Sequence, residues 1–154
     1  DHVKHAVQTL GSLDLWRVAM RPGKPLAFGH IGQTPFIGSP GNPVSLFVTF
    51  CLFARPFILK MQGVQGSAAP RRIEARADFS IDKASERREY HRARLIDQDD
   101  AGAHDLPLVQ VFPSRSSAAL TSLAWARGLV LIPEHETVAK GDPVQFIPFS
   151  ELLT

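Results

Sequence analysis

The chain has 154 residues, 44% of them hydrophobic and 21% charged, with 17 Lys and Arg against 15 Asp and Glu. That balance belongs to a folded chain, too apolar for disorder and long enough to bury one core or two small ones. A net charge of +2 without a basic stripe and interleaved aromatics gives no reason to expect a nucleic-acid partner.

The single cysteine, Cys51, excludes an internal disulfide and points to a reducing compartment, with the cytoplasm expected. The most apolar run, Val44 to Leu59, is interrupted by Ser45, Thr49, Arg55 and Pro56, so no membrane span is expected. The sequence opens on Asp1-His2-Val3-Lys4-His5, which has no signal-peptide pattern and no Met, and it reads as a piece of a longer chain.

In chain order, residues 2–10 carry a helical pattern that stops at Gly11, and Leu15 to Met20, Leu26 to Phe28 and Pro35 to Gly38 read as short strands. A long helix is expected from about Pro43 to Gln62, opened by a proline in its first turn, kinked at Pro56 and stopped by Gly63. Phe47, Phe50, Cys51, Phe57 and Ile58 recur at helical spacing, and that stripe is assigned to the core.

Gly63 to Pro70 has the composition of a linker and divides the chain into residues 1–66 and 67–154. The first part holds six Lys and Arg against two Asp, while the second holds eleven against thirteen acidic residues. Positive potential is therefore concentrated in the first part, which favours small anions. Beyond the linker, Ile73 to Phe79, Glu89 to Leu95, Leu106 to Phe112, Leu129 to Ile132 and Val144 to Ile147 are short runs between turn residues, the pattern of a small all-β unit. Tyr90, Arg92 and Arg94 alternate with His91, Ala93 and Leu95, which predicts one solvated face.

Chemistry is concentrated in two turns. Arg21-Pro22-Gly23-Lys24-Pro25 follows a strand, and Gly38-Ser39-Pro40-Gly41-Asn42-Pro43-Val44-Ser45 leads straight into the long helix. A turn that empties into a helix N-terminus presents backbone N–H groups and the positive end of the dipole, an anion site. Gly41 permits close backbone approach, Asn42 can hydrogen-bond, and Pro43 has no N–H to leave unpaired. Arg17 and Arg21, expected on one side of a strand, and Lys24 add positive charge. The plainer alternative is that both motifs are ordinary strand–turn–helix joints with solvated basic residues.

These blocks, together with the Phe-rich helix and its closing Lys60-Met61-Gln62-Gly63, resemble the molybdopterin molybdenumtransferase (MoeA) family, which includes the E domain of gephyrin. Tyr90-His91-Arg92-Ala93-Arg94-Leu95, the run Ser117 to Ala124 and the run Gly128 to Glu134 resemble the C-terminal β domain of that family. The resemblance implies an α/β plus all-β fold: part of a three-layer α/β molybdopterin-binding domain over residues 1–66, then a small β-barrel-like domain over 67–154. The chain would correspond to the C-terminal portion of the family enzyme.

The activity implied is insertion of molybdate-derived molybdenum into adenylylated molybdopterin, with Mg²⁺-dependent release of AMP. The partners implied are small anionic substrates, a second copy in a homodimer, and other molybdenum-cofactor biosynthesis proteins. Carried over by position, Arg17, Arg21, Lys24 and Ser117 take catalytic roles, with Ser117 supplied to the cleft of a partner subunit. Pro22, Gly23, Pro40, Gly41, Asn42, Pro43 and Ser45 bind the pterin substrate, and Asp1 is associated with the metal. Arg17 and Arg21 stand where many family members have lysines, and a guanidinium is not equivalent to an ammonium.

Other candidates read more plainly. Asp1, His2 and His5 lack the ligand count of a zinc site, Cys51 reads as a buried structural thiol, and His91, His104 and His135 read as solvated histidines. Arg87-Arg88-Glu89 reads as a strand entrance and Asp97-Gln98-Asp99-Asp100 as an exposed turn. Against the enzyme reading stand a scaffold or interaction module, a role gephyrin also has, and a fragment that folds but is inactive alone.

Overall fold

The computed structural model describes residues 2–67, 69–96, 106–114 and 120–153; Asp1, His104 and Ser117 lie outside them. Helix α1 (His2–Leu10) stops where Gly11 N–H donates to the Val7 carbonyl. The chain then enters an antiparallel sheet of three strands, ordered β1 (Ser12–Leu15), β3 (Ala27–Ile31), β4 (Thr34–Gly38). The run expected as one strand from Leu15 to Met20 is instead broken. β1 ends at Leu15, and β2 (Met20–Arg21) pairs parallel with Arg88 and Glu89 in a different sheet. Arg17 therefore lies between two strands rather than on the same side of one strand as Arg21.

The long helix forms as α2 (Pro43–Thr49), a π-helical turn (Phe50–Ala54) and α3 (Arg55–Met61). The expected kink at Pro56 appears as this widened turn, in which Arg55 N–H donates to the Phe50 carbonyl five residues back. A ring that cannot donate and that crowds the preceding turn is accommodated by such a bulge.

The expected stripe is only in part the core face: Cys51 is buried and Phe47 packs against the same cluster, but the other members do not follow them inward. Phe50 and Ile58 are each 42% exposed, and the face that packs inward is Val44, Val48, Cys51 and Ala54. This helix is apolar all round, so periodicity cannot choose its buried side, and the smaller side chains are the ones that fit against the barrel. By length and composition alone, its 19 residues from Pro43 to Met61 qualify to cross a bilayer, contrary to the expectation above. Here Val48 and Cys51 pack with Met20, Leu129, Ile147 and Leu152 in a buried cluster.

The second part closes into a five-stranded barrel. Strands β6 (Arg88–Ile96), β7 (Leu108–Val111), β5 (Ile73–Ala77), β9 (Pro143–Pro148) and β8 (Gly128–Ile132) follow one another, and β8 returns to pair with β6. Closure leaves no free edge within the ring. Its interior is filled by Ala75, Ala77, Ala93, Val109, Val130 and Phe146 among others. Short helices α4 (Thr121–Trp125) and α5 (Phe149–Leu153) lie against β6 and β9.

β6 is long enough to hold two neighbours on one edge. It pairs with β7 along Ala93–Ile96 and with β2 along Arg88–Glu89. Residues 1–66 and 67–154 thus share a sheet at this junction, and the Arg21–Pro25 turn is carried onto the barrel wall.

Candidate functional site

A cavity of about 350 Å³ opens where β2 meets β6. One wall is the turn Arg21-Pro22-Gly23-Lys24-Pro25, another is Ser45 in the first turn of α2, and the third is Arg87, Glu89, Tyr90, His91 and Arg92 at the start of β6. The Arg21–Pro22 peptide bond is cis. The lining includes four cationic side chains, Arg21, Lys24, Arg87 and Arg92, and one carboxylate, that of Glu89.

The cations differ in freedom. The Arg21 side chain is 48% exposed, and its Nη1 lies 3.8 Å from Glu89 Oε1. Glu89 is itself buried and is held on its other oxygen by His91 Nε2 at 2.7 Å. Arg92 is buried and fixed: Nε donates to Ser122 Oγ at 3.0 Å and Nη2 donates to the Ser114 carbonyl at 2.9 Å. Burial pushes the Arg92 pKa below the usual arginine value, because it costs the charged guanidinium its hydration.

The helix N-terminus contributes less than the sequence promises. Asn42 Oδ1 accepts from Val44 N–H at 3.1 Å and Ser45 N–H at 3.2 Å, and Leu46 N–H donates to the Asn42 carbonyl at 2.8 Å. With Pro43 lacking an N–H, the amides of the first turn already have internal partners, so attraction for an anion here rests on side-chain charge.

The structure therefore brings together Arg21, Pro22, Gly23, Lys24 and Ser45 from the expected set. Pro40, Gly41, Asn42 and Pro43 sit beside the cavity's helix but do not line it, and Arg17 is exposed on the segment between β1 and β2. Asp1 and Ser117 fall outside the described residues. Among the described residues no three of His, Cys, Asp or Glu cluster for a metal ion.

Sequence reading missed the β6 wall. His91 is not solvated but 14% exposed and bonded to Glu89, and Arg92 is buried where a wet face was expected. The available signal was the run Arg87-Arg88-Glu89, followed within four residues by His91 and Arg92.

Cys51 is buried, as expected, and desolvation pushes its thiol up to about 11, against a smaller opposing effect of the Arg55 charge. The folded-state pKa lies above the unfolded value, so its contribution to stability is complete below pH ~9 and is lost as pH rises through ~11. A gap of about 2 units corresponds to roughly 2–3 kcal/mol. Denaturant melts of wild type and Cys51→Ala between pH 8 and 11 are expected to converge as pH rises; parallel curves would refute it.

A barrel thus joins a short α/β unit, with a cation-rich cleft at their shared strand pair. Residues 74–149 match the MoeA C-terminal region (domain IV). The chain is 32% identical over 153 residues to a molybdopterin molybdenumtransferase of Haemophilus influenzae, covering 99% of this chain and 37% of that protein. It is 31% identical to a gephyrin of Dictyostelium discoideum, covering 96% of this chain and 23% of that one. A crystal structure of a molybdopterin biosynthesis MoeA protein from Pyrococcus horikosii superposes with a TM-score of 0.70 at 29% identity, over 94% of this chain and 34% of that one. The chain belongs to the molybdopterin molybdenumtransferase (MoeA) family, and it spans only 23% to 37% of the length of these relatives.

Proposed function

We propose that this chain supplies the barrel-side wall and the Arg21–Pro25 turn of an oxyanion cleft in a molybdenum-cofactor biosynthesis enzyme. The whole protein would insert molybdate-derived molybdenum into adenylylated molybdopterin and release AMP, in the cytoplasm. The observation that carries the reading is the convergence of Arg21, Lys24, Arg87 and Arg92 on one 350 Å³ cavity. Family membership supports the chemistry assigned to it.

Each residue has a separable role. Arg21, half exposed and only loosely paired, can turn its fork onto two oxygens of a phosphate or molybdate. Lys24 adds a compact charge, and Ser45 offers a hydroxyl from the helix side. Arg92 is a fixed cation in the wall. Mg²⁺, for which the described residues offer no ligand cluster, enters none of these roles, and Ser117 and Asp1 keep only the roles their positions in the family imply.

A titration tests the cleft. Inorganic phosphate and molybdate are expected to shift the amide resonances of Gly23, Lys24 and Ser45 with a millimolar Kd, about 4 kcal/mol, weakening with added salt. No movement at these amides would overturn the reading.

The homodimer belongs to the same proposal. Leu46, Phe50 and Phe53 are exposed on the long helix, and Phe53 lines an apolar hollow of about 190 Å³ with Leu15, Phe28 and Phe57, a surface that a second copy would cover. Sedimentation velocity is expected to show a dimer; a monomer alone at high concentration would remove this part.

A further inference from the structure

We infer that Ser122 is a positioning residue of the cleft, acting through Arg92; the inference rests on the reading of the cleft given above. Ser122 does not line the cavity, whereas Arg92 does. The two side chains meet in a fully buried setting, with Ser122 0% and Arg92 5% exposed.

A guanidinium in that setting has lost its water, so its orientation is set by the groups that receive its N–H bonds. Among the described residues, two acceptors are fixed by the fold. Ser122 Oγ takes Nε at 3.0 Å, the Ser114 carbonyl takes Nη2 at 2.9 Å, and the Phe112 ring centre lies 6.0 Å from the guanidinium carbon. The group is planar and rigid, so holding Nε and Nη2 together fixes the plane and the direction of Nη1 as well. Lysine at this position would have no such plane to fix.

Ser122 itself is an unusual choice for its place. Serine is a poor helix former, and α4 has five residues with no side-chain cap. A buried hydroxyl is costly unless it is hydrogen-bonded. An alanine would serve the helix better and would avoid that cost, and the bond to Arg92 gives the hydroxyl a use that alanine lacks. β6 and α4 are joined in space through this bond, which ties the aim of Arg92 to the seating of α4 on the barrel.

A double-mutant cycle on inorganic phosphate affinity tests this. Ser122→Ala is expected to weaken phosphate binding roughly fivefold to tenfold, in line with loss of one hydrogen bond to a charged group. Arg92→Met, which keeps volume without charge, is expected to weaken it further, and adding Ser122→Ala to Arg92→Met is expected to change nothing more. Ser122→Thr keeps the hydroxyl and is expected to restore affinity to within about twofold of wild type, with the Arg92 Nε–H resonance at its wild-type position.

A merely structural serine would lower the melting temperature equally in both backgrounds and leave phosphate affinity alone. The inference is overturned if Ser122→Ala binds phosphate as wild type does, or if its loss of affinity is the same with and without Arg92. Should Ser122→Ala fail to fold, Ser122→Cys, similar in shape but a weak acceptor, carries the same comparison. Failure of wild-type protein to bind phosphate at all would strike the cleft reading instead.

Discussion

Gly23→Ala is expected to cost about 2–4 kcal/mol of stability and to weaken phosphate binding at least tenfold, two effects from one missing hydrogen. The first part of the cost is conformational. Gly23 has φ of 115°, a region that L residues enter at about 1–2 kcal/mol.

The second part is steric, because a Cβ on Gly23 would collide with Thr49 Cγ2. Thr49 cannot turn away. It is fully buried, and its Oγ1 donates to the Ser45 carbonyl at 2.8 Å with the Leu46 carbonyl 3.1 Å away, so its rotamer is locked to the helix. Overpacking of this kind costs about 1–3 kcal/mol. The turn must lift from the helix, and Arg21 and Lys24 leave with it. Gly23→Ala/Thr49→Ser, which deletes the colliding methyl, should recover the steric part and part of the affinity, but not the conformational part. Gly41→Ala, with no atom within 4 Å of the new Cβ and no positive φ, should be near neutral. Urea melts and phosphate titrations of the four proteins decide the matter, and a Gly23→Ala chain as stable as Gly41→Ala would refute the packing argument.

How much of this was legible from residues alone follows from what each signal depends on. The five barrel strands were readable because four are short runs bounded by turn formers and β6 alternates with period two, all local properties. α1 and the proline-opened helix were readable for the same reason. The break between Leu15 and Met20 was not, because nothing local says that one run will serve two sheets. The buried side of the long helix was not legible either, since Phe50 and Val48 are both apolar and only the barrel's shape selects the smaller one.

The site divides along the same line. Arg21 to Lys24 and Ser45 announced themselves through turn chemistry and family resemblance. Glu89, His91 and Arg92 became visible only when β2 was laid beside β6, because a pairing of residues 20–21 with 88–89 has no local trace. The anion site expected from the free amides of the helix N-terminus was weakened by a contact that the sequence also contained, the cap made by Asn42. Asparagine before proline at a helix start reads equally as a ligand and as a cap, and geometry decided for the cap.

Reversal of one charge at the cleft should then abolish oxyanion binding. Lys24→Glu replaces an attractive charge with a repulsive one on a turn that lines the cavity, in a wall that already contains the Glu89 carboxylate. Millimolar affinity leaves little to lose: about 1.4 kcal/mol is tenfold, so a loss of about 3 kcal/mol moves phosphate binding out of titration range. Lys24→Gln, which removes the charge without reversing it, should fall between the two, and its Kd should depend less on added salt than that of wild type. Lys140→Glu makes the same change in net charge at a lysine outside the cleft, on the barrel turn where it pairs with Asp78, and should leave phosphate affinity within about twofold. A local cleft predicts the order wild type, Lys24→Gln, Lys24→Glu, with Lys140→Glu grouped with wild type. If Lys140→Glu loses binding as fully as Lys24→Glu, the attraction is the diffuse field of the whole chain, and the cavity at the β2–β6 junction has no special claim to the anion.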